Sequence, residues 1–122
     1  MTIYVQQALN LEFLISEGDG QISRSTVTLG GAQVLEPGMV LGMVTATGVY
    51  IPSTATAADG SQNAVAVNGY RVDTTLGNVS GAVIARMAEV TAAALIYDPS
   101  VNTPTLVAGK IAGLATQQII AR

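Results

Sequence analysis

In a chain of 122 residues with no histidine and no cysteine, chemistry at neutral pH is left to hydroxyls, carboxylates and a single lysine, Lys110. A Ser or Thr nucleophile needs a base within hydrogen-bond reach, and Lys110 is the one candidate. Thr103 and Pro104 read as the N-cap and first residue of a helix on which Val107, Ile111 and Leu114 recur at helical spacing. That reading places Lys110 on the polar side, where a solvated surface lysine is expected rather than a catalytic base.

The acidic residues could in principle supply the paired carboxylates of glycoside hydrolysis, but they are spread along the chain and read as turn formers and surface charge. Glu17-Gly18-Asp19-Gly20 invites a calcium reading. Counting from Glu17, the fifth position is Gln21 and the twelfth Thr28, so the alternating oxygen ligands and closing Glu of an EF-hand loop are missing. No G-x-x-x-x-G-K-[ST] occurs, and Gly18-Asp19-Gly20 lacks the third glycine and following helix of a dinucleotide loop. No catalytic, cofactor or metal site is expected.

The elements that would position any site are mostly short strands. Odd positions from Ile3 through Val5, Leu9, Leu11 and Phe13 to Ile15 are apolar apart from Gln7, and the even ones are mostly polar, the period of a half-buried strand. Because this pattern opens at the terminus, it reads either as an edge strand of its own sheet or as an arm that pairs with another chain. Ser25 to Leu29, Ala32 to Leu35, Ala64 to Val67, Tyr70 to Val72 and Val79 to Arg86 read as further extended stretches. Met39 to Val44 reads as a strand buried on both faces, with Gly42 marking a bulge or a close backbone approach. Gly48 to Pro52 returns as in a hairpin. Residues 53–63 form the clearest loop. Ala88 to Leu95 is rich in helix formers, with Val90, Ala94 and Tyr97 on one face, and Gln118 to Arg122 closes the chain as a final strand. The expected fold is mainly β (α+β), with about six or seven short strands and two short helices near the C-terminus. Residues 13–122 make one domain and residues 1–12 an extended N-terminal arm.

Composition narrows the function class. Charged residues are 11% and hydrophobic residues 49% of the chain, so a monomer would present an unusually apolar surface, part of which a partner should cover. Aromatic residues amount to 4%, too few for base stacking. The net charge of −3 and the scatter of Arg24, Arg71, Arg86, Lys110 and Arg122 argue against phosphate neutralisation and nucleic-acid binding. Met1 to Gln7 lacks a basic and apolar leader pattern, and no long apolar run suggests a membrane span. Assembly is the expected function rather than catalysis.

Several of these segments carry a family resemblance: Phe13 to Arg24 (FLISEGDGQISR), Leu35 to Gly42 (LEPGMVLG), Gly48 to Pro52 (GVYIP), Asp59 to Gln62 (DGSQ), Val83 to Val90 (VIARMAEV) and the ending Ile119-Ile120-Ala121-Arg122. In order and spacing they resemble the head decoration protein D of lambda-like tailed phages. The resemblance implies a cement protein on the outer surface of the virion capsid, bound as a homotrimer at three-fold positions of the expanded head. It also implies an N-terminal segment that adds as a strand to a sheet of the major capsid protein. Alternate side chains of an added strand face pockets while the backbone bonds. The arm residues expected to bind the capsid are therefore Ile3, Tyr4, Val5 and Leu9. The rival reading is a β-rich adhesion or carbohydrate-binding module, which would need its tyrosines, Tyr4, Tyr50, Tyr70 and Tyr97, gathered into a stacking platform.

Overall fold

Short extended stretches bounded by turn residues make up most of the chain, and the architecture follows from them. A computed structural model describes residues 11–18 and 22–122. Five strands close into a barrel in the order β2 (Arg24–Leu29), β5 (Tyr50–Pro52), β4 (Val40–Met43), β6 (Ala66–Asn68), β8 (Val79–Ile84). The longest seam is antiparallel, β2 on β8, from Arg24↔Ile84 to Leu29↔Val79. Closure leaves the barrel strands without a free edge, the commonest route to unwanted pairing. A two-stranded ribbon, β3 (Val34–Leu35) on β7 (Val72–Asp73), lies outside the barrel.

A second sheet has the order β1 (Leu14–Glu17), β9 (Ala88–Val90), β10 (Ile119–Ala121). Here β1 is antiparallel to β9, and β10 is parallel to it. Along β1 the step from Leu14 to Ser16 is matched by the single step from Val90 to Glu89. Ile15 is thus the extra residue of a β-bulge. It is half exposed, while Phe13 is buried, so the alternation that runs from Ile3 in the sequence breaks at this point.

Two apolar clusters fill the interior. Phe13, Val67, Ile84, Val90, Leu114 and Ile119 anchor the cluster between the second sheet, the helix and the barrel wall. Leu29, Leu35, Leu41, Ala66 and Val83 anchor the other. Gly42 proves to be a close approach: a Cβ there would collide with the backbone carbonyl of Ser61.

The helix expected over Ala88 to Leu95 is instead strand β9 followed by a single 3-10 turn, Ala92–Ala94. Ala88 and Val90 are buried and Glu89 between them is not, a period-two pattern short enough to hide within a helix-forming composition. Backbone bonds on both sides decide the matter. Thr91 N–H donates to Phe13 O at 2.7 Å and Ala92 N–H to Arg122 O at 3.0 Å, so pairing with two neighbours overrides local propensity. The second expected helix forms as α1 (Pro104–Thr116), with Thr103 Oγ1 accepting from Leu106 N–H at 3.2 Å and Pro104 in the first turn.

Candidate functional site

Lys110 is where structure departs furthest from the expected surface lysine. It is 6% exposed and shares the buried face of α1 with Leu114. Its ammonium donates to Ser53 Oγ at 2.9 Å, Thr54 O at 2.6 Å and Gln62 O at 2.5 Å. All three acceptors belong to the loop of residues 53–63. An ammonium has three protons and no acceptor, so every donor is used. Burial pushes the Lys110 pKa down from the usual lysine value, and the charge of Asp98 pulls it partly back.

A Ser and a Lys within hydrogen-bond distance is the pairing that the sequence allowed as a nucleophile and base. Here Ser53 is 1% exposed, which leaves no approach for a substrate. The ammonium is also spent on two carbonyls, so no lone pair faces the hydroxyl. The arrangement is a pin that fastens the loop to the helix. The rest of the loop is held by its own side chains and by Ser100. Asp59 Oδ1 accepts from Ser61 N–H at 3.0 Å and from Ser61 Oγ at 2.5 Å, Gly60 N–H donates to Gln62 Oε1 at 2.8 Å, and Ala55 N–H reaches Ser100 Oγ at 2.9 Å. These bonds satisfy backbone groups that a loop packed on a barrel would otherwise bury unpaired.

At the second sheet an open cleft of about 440 Å³ is lined by Ser16, Glu17, Gly18, Met87, Glu89 and Ile120, among others. Met87 and Ile120 are exposed apolar side chains. Met87 has φ 50° and its neighbour in the lining, Gln118, has φ 62°, left-handed conformations that cost non-glycine residues about 1 kcal/mol each. Both carboxylates of the cleft are taken by arginines. Arg24 grips Glu17 with both arms of its fork, at 2.9 and 2.8 Å, and also donates to Tyr70 Oη at 3.1 Å. Arg122 Nε donates to Glu89 Oε1 at 2.9 Å. The Arg24 hydrogen bonds hold the Glu17 carboxyl below its usual range, which makes it a fixed anion and a poor proton donor.

The sign of the pH dependence follows. The folded state binds fewer protons at Glu17 than the unfolded chain, so this stabilisation is present above the ordinary carboxylate range and lost as pH falls through the lowered pKa. The pair is partly exposed. Glu17→Gln is therefore expected to lower the unfolding free energy by less than about 1 kcal/mol at pH 7. At a pH well below that lowered pKa it should lower it by nothing. Denaturant melts at the two pH values check this, and a deficit that persists in acid would assign the loss to packing.

Each of the five cations has a partner inside the chain. Arg71 binds Glu36 at 2.7 Å, and Arg86 donates to Ile22 O and Ser25 Oγ, both at 2.6 Å; Arg24, Lys110 and Arg122 are bonded as above. The three described tyrosines occupy separate settings. Tyr70 takes the Arg24 bond, Tyr97 packs on the first cluster with its hydroxyl buried, and Tyr50 packs on the second. They form no common platform for a sugar face. Ile3, Tyr4, Val5 and Leu9 lie outside the described residues, as do Asp19, Gly20 and Gln21. The described chain starts with Leu11, whose N–H donates to Gly69 O at 2.9 Å.

A closed barrel, a loop fastened by Lys110 and cations spent on internal partners define a structural module with no open catalytic centre among the described residues. Comparison with known families gives this class its name. The family model of the bacteriophage lambda head decoration protein D matches residues 3–119, and the chain belongs to that family. No curated protein and no solved structure matches it. The matched stretch begins at residue 3 and so takes in the residues upstream of Leu11. No helix among the described residues is long and apolar enough to cross a membrane.

Proposed function

We infer that this decoration protein is a cement. It binds the expanded phage head as trimers at three-fold positions and holds the shell against the pressure of packaged DNA. The observation that carries this reading is the family match, which spans the body and the segment before it. The internal pairing of all the cations supports a protein partner rather than DNA, since a phosphate contact would first have to break one of those bonds. The proposed contact is strand addition by the N-terminal segment to a sheet of the major capsid protein, with Ile3, Tyr4, Val5 and Leu9 as the side chains that face it.

A cement acts by mass action. It binds the assembled shell and not the free subunit, so every bound copy disfavours disassembly. Three binding segments on one trimer make the second and third contacts intramolecular, which multiplies modest affinities. Selectivity for the expanded shell requires that the receiving edge be absent or misplaced before expansion.

Co-sedimentation with expanded and unexpanded heads of the parent phage tests the reading. Binding confined to expanded heads is the expected result, and binding to neither head overturns it. Val5→Pro removes a ladder donor. It is expected to weaken binding while leaving the unfolding midpoint of the body unchanged, and unaltered binding would rule out pairing at that position.

A further inference from the structure

Leu11 is held in place by more bonds than its sequence setting asks for. Its N–H donates to Gly69 O at 2.9 Å, its carbonyl accepts from Leu14 N–H at 3.1 Å, and its side chain packs on the first core cluster. Its φ is 59°, in the left-handed region where a side chain of this kind costs about 1 kcal/mol. Glycine or asparagine is the residue such a turn ordinarily selects. Neither stands at this position, and the alternation from Ile3 to Ile15 would carry the chain straight on. The turn at Leu11 is therefore imposed by what it is fastened to.

The seat is shaped for it. A Cβ on Gly69 would come within 3.2 Å of Leu11 Cδ2 and 3.3 Å of Ala82 O, tighter than side chains normally pack. The missing side chain at position 69 is what lets Leu11 lie against the backbone there. Leu11 and Gly69 thus form a latch between the start of the body and the segment joining β6 to β7.

We propose, resting on the strand-addition reading above, that Leu11 is the positioning residue of the capsid-binding segment. The latch fixes the point on the body from which residues 1–10 extend. Affinity gained by presenting a binding segment at a set point is lost when its tether is loosened, and three segments on one trimer multiply the penalty because each must reach its own site.

The test is a binding titration on expanded heads, with thermal unfolding of each protein alone. The proteins are the intact chain, a chain lacking residues 2–10, Leu11→Gly, and a chain with Gly-Gly-Ser inserted between Asn10 and Leu11. The insertion leaves the latch intact and changes only how the segment is delivered. It is expected to weaken binding about tenfold at an unchanged unfolding midpoint, which separates the delivery of the segment from any loss of fold. Leu11→Gly is expected to weaken binding to a similar degree. If the deletion abolishes binding while the insertion and Leu11→Gly bind like the intact chain, the positioning role is wrong and the arm stands. If the deletion binds like the intact chain, the arm reading falls and the positioning role falls with it.

Discussion

Lys110→Met is expected to lower the unfolding free energy by about 3 kcal/mol, because two buried carbonyls lose the donor that satisfied them. For a domain of this size that is a fall of about 10 °C in unfolding midpoint. Methionine keeps most of the aliphatic stem, so the loss isolates the ammonium. Replacing a buried charge by an apolar group can be neutral when its partners are replaced as well. Here the carbonyls of Thr54 and Gln62 remain behind, and each is left without the donor that faced it. Only the Ser53 hydroxyl can turn to another partner. Amide exchange should show the damage concentrated in residues 53–63, with the barrel seam β2–β8 protected nearly as before. A variant as stable as the parent would mean that the loop is held by its Asp59, Ser61 and Gln62 bonds alone.

Phe13→Ala should cost a similar amount, about 3–5 kcal/mol, through lost burial and the cavity left behind. Phe13 is the one phenylalanine of the chain, is 1% exposed, and packs among Val40, Val90 and Leu95. Ile15→Ala is the matched control. The two positions share a parity in the sequence pattern, yet the bulge in β1 leaves Ile15 50% exposed, so its truncation should cost less than about 0.5 kcal/mol. Equal losses at the two sites, measured by denaturant melts, would mean that β1 runs without a bulge.

These two residues also mark where the sequence was legible and where it was not. The barrel strands announce themselves by short β-branched and apolar runs and by the turns that bound them, and Glu36-Pro37-Gly38 turns as its residues require, with Gly38 at φ 90°. Thr103-Pro104 starts a helix for reasons local to those residues. By contrast, β9 is a strand because β1 and β10 flank it, and neither neighbour can be read from Ala88 to Val90. Lys110 was available to a stricter reading. Residues 107, 110, 111 and 114 have the i, i+3, i+4, i+7 spacing of one helical stripe, so a lysine there lies among the inward positions. What no local pattern supplies is the set of loop oxygens that makes the position suit an ammonium. The latch at Leu11 is hidden for the same reason, since its partner is the backbone of Gly69.

The second sheet carries a consequence for the order in which the molecule is made. Its strands are β1, β9 and β10, drawn from the two ends of the described chain, and the central β9 meets the last of them, Ile119–Ala121, in parallel. The barrel is complete in sequence by residue 84 and can close while the remainder is still being synthesised. The sheet that covers Phe13 cannot form before Ile119–Ala121 has been made, since β10 is one of its three strands. Until then β9 lacks its partner and the buried Ile119 is missing from the core. A chain that lacks Ile119–Ala121 is therefore expected to keep its barrel and to lose part of the packing around Phe13.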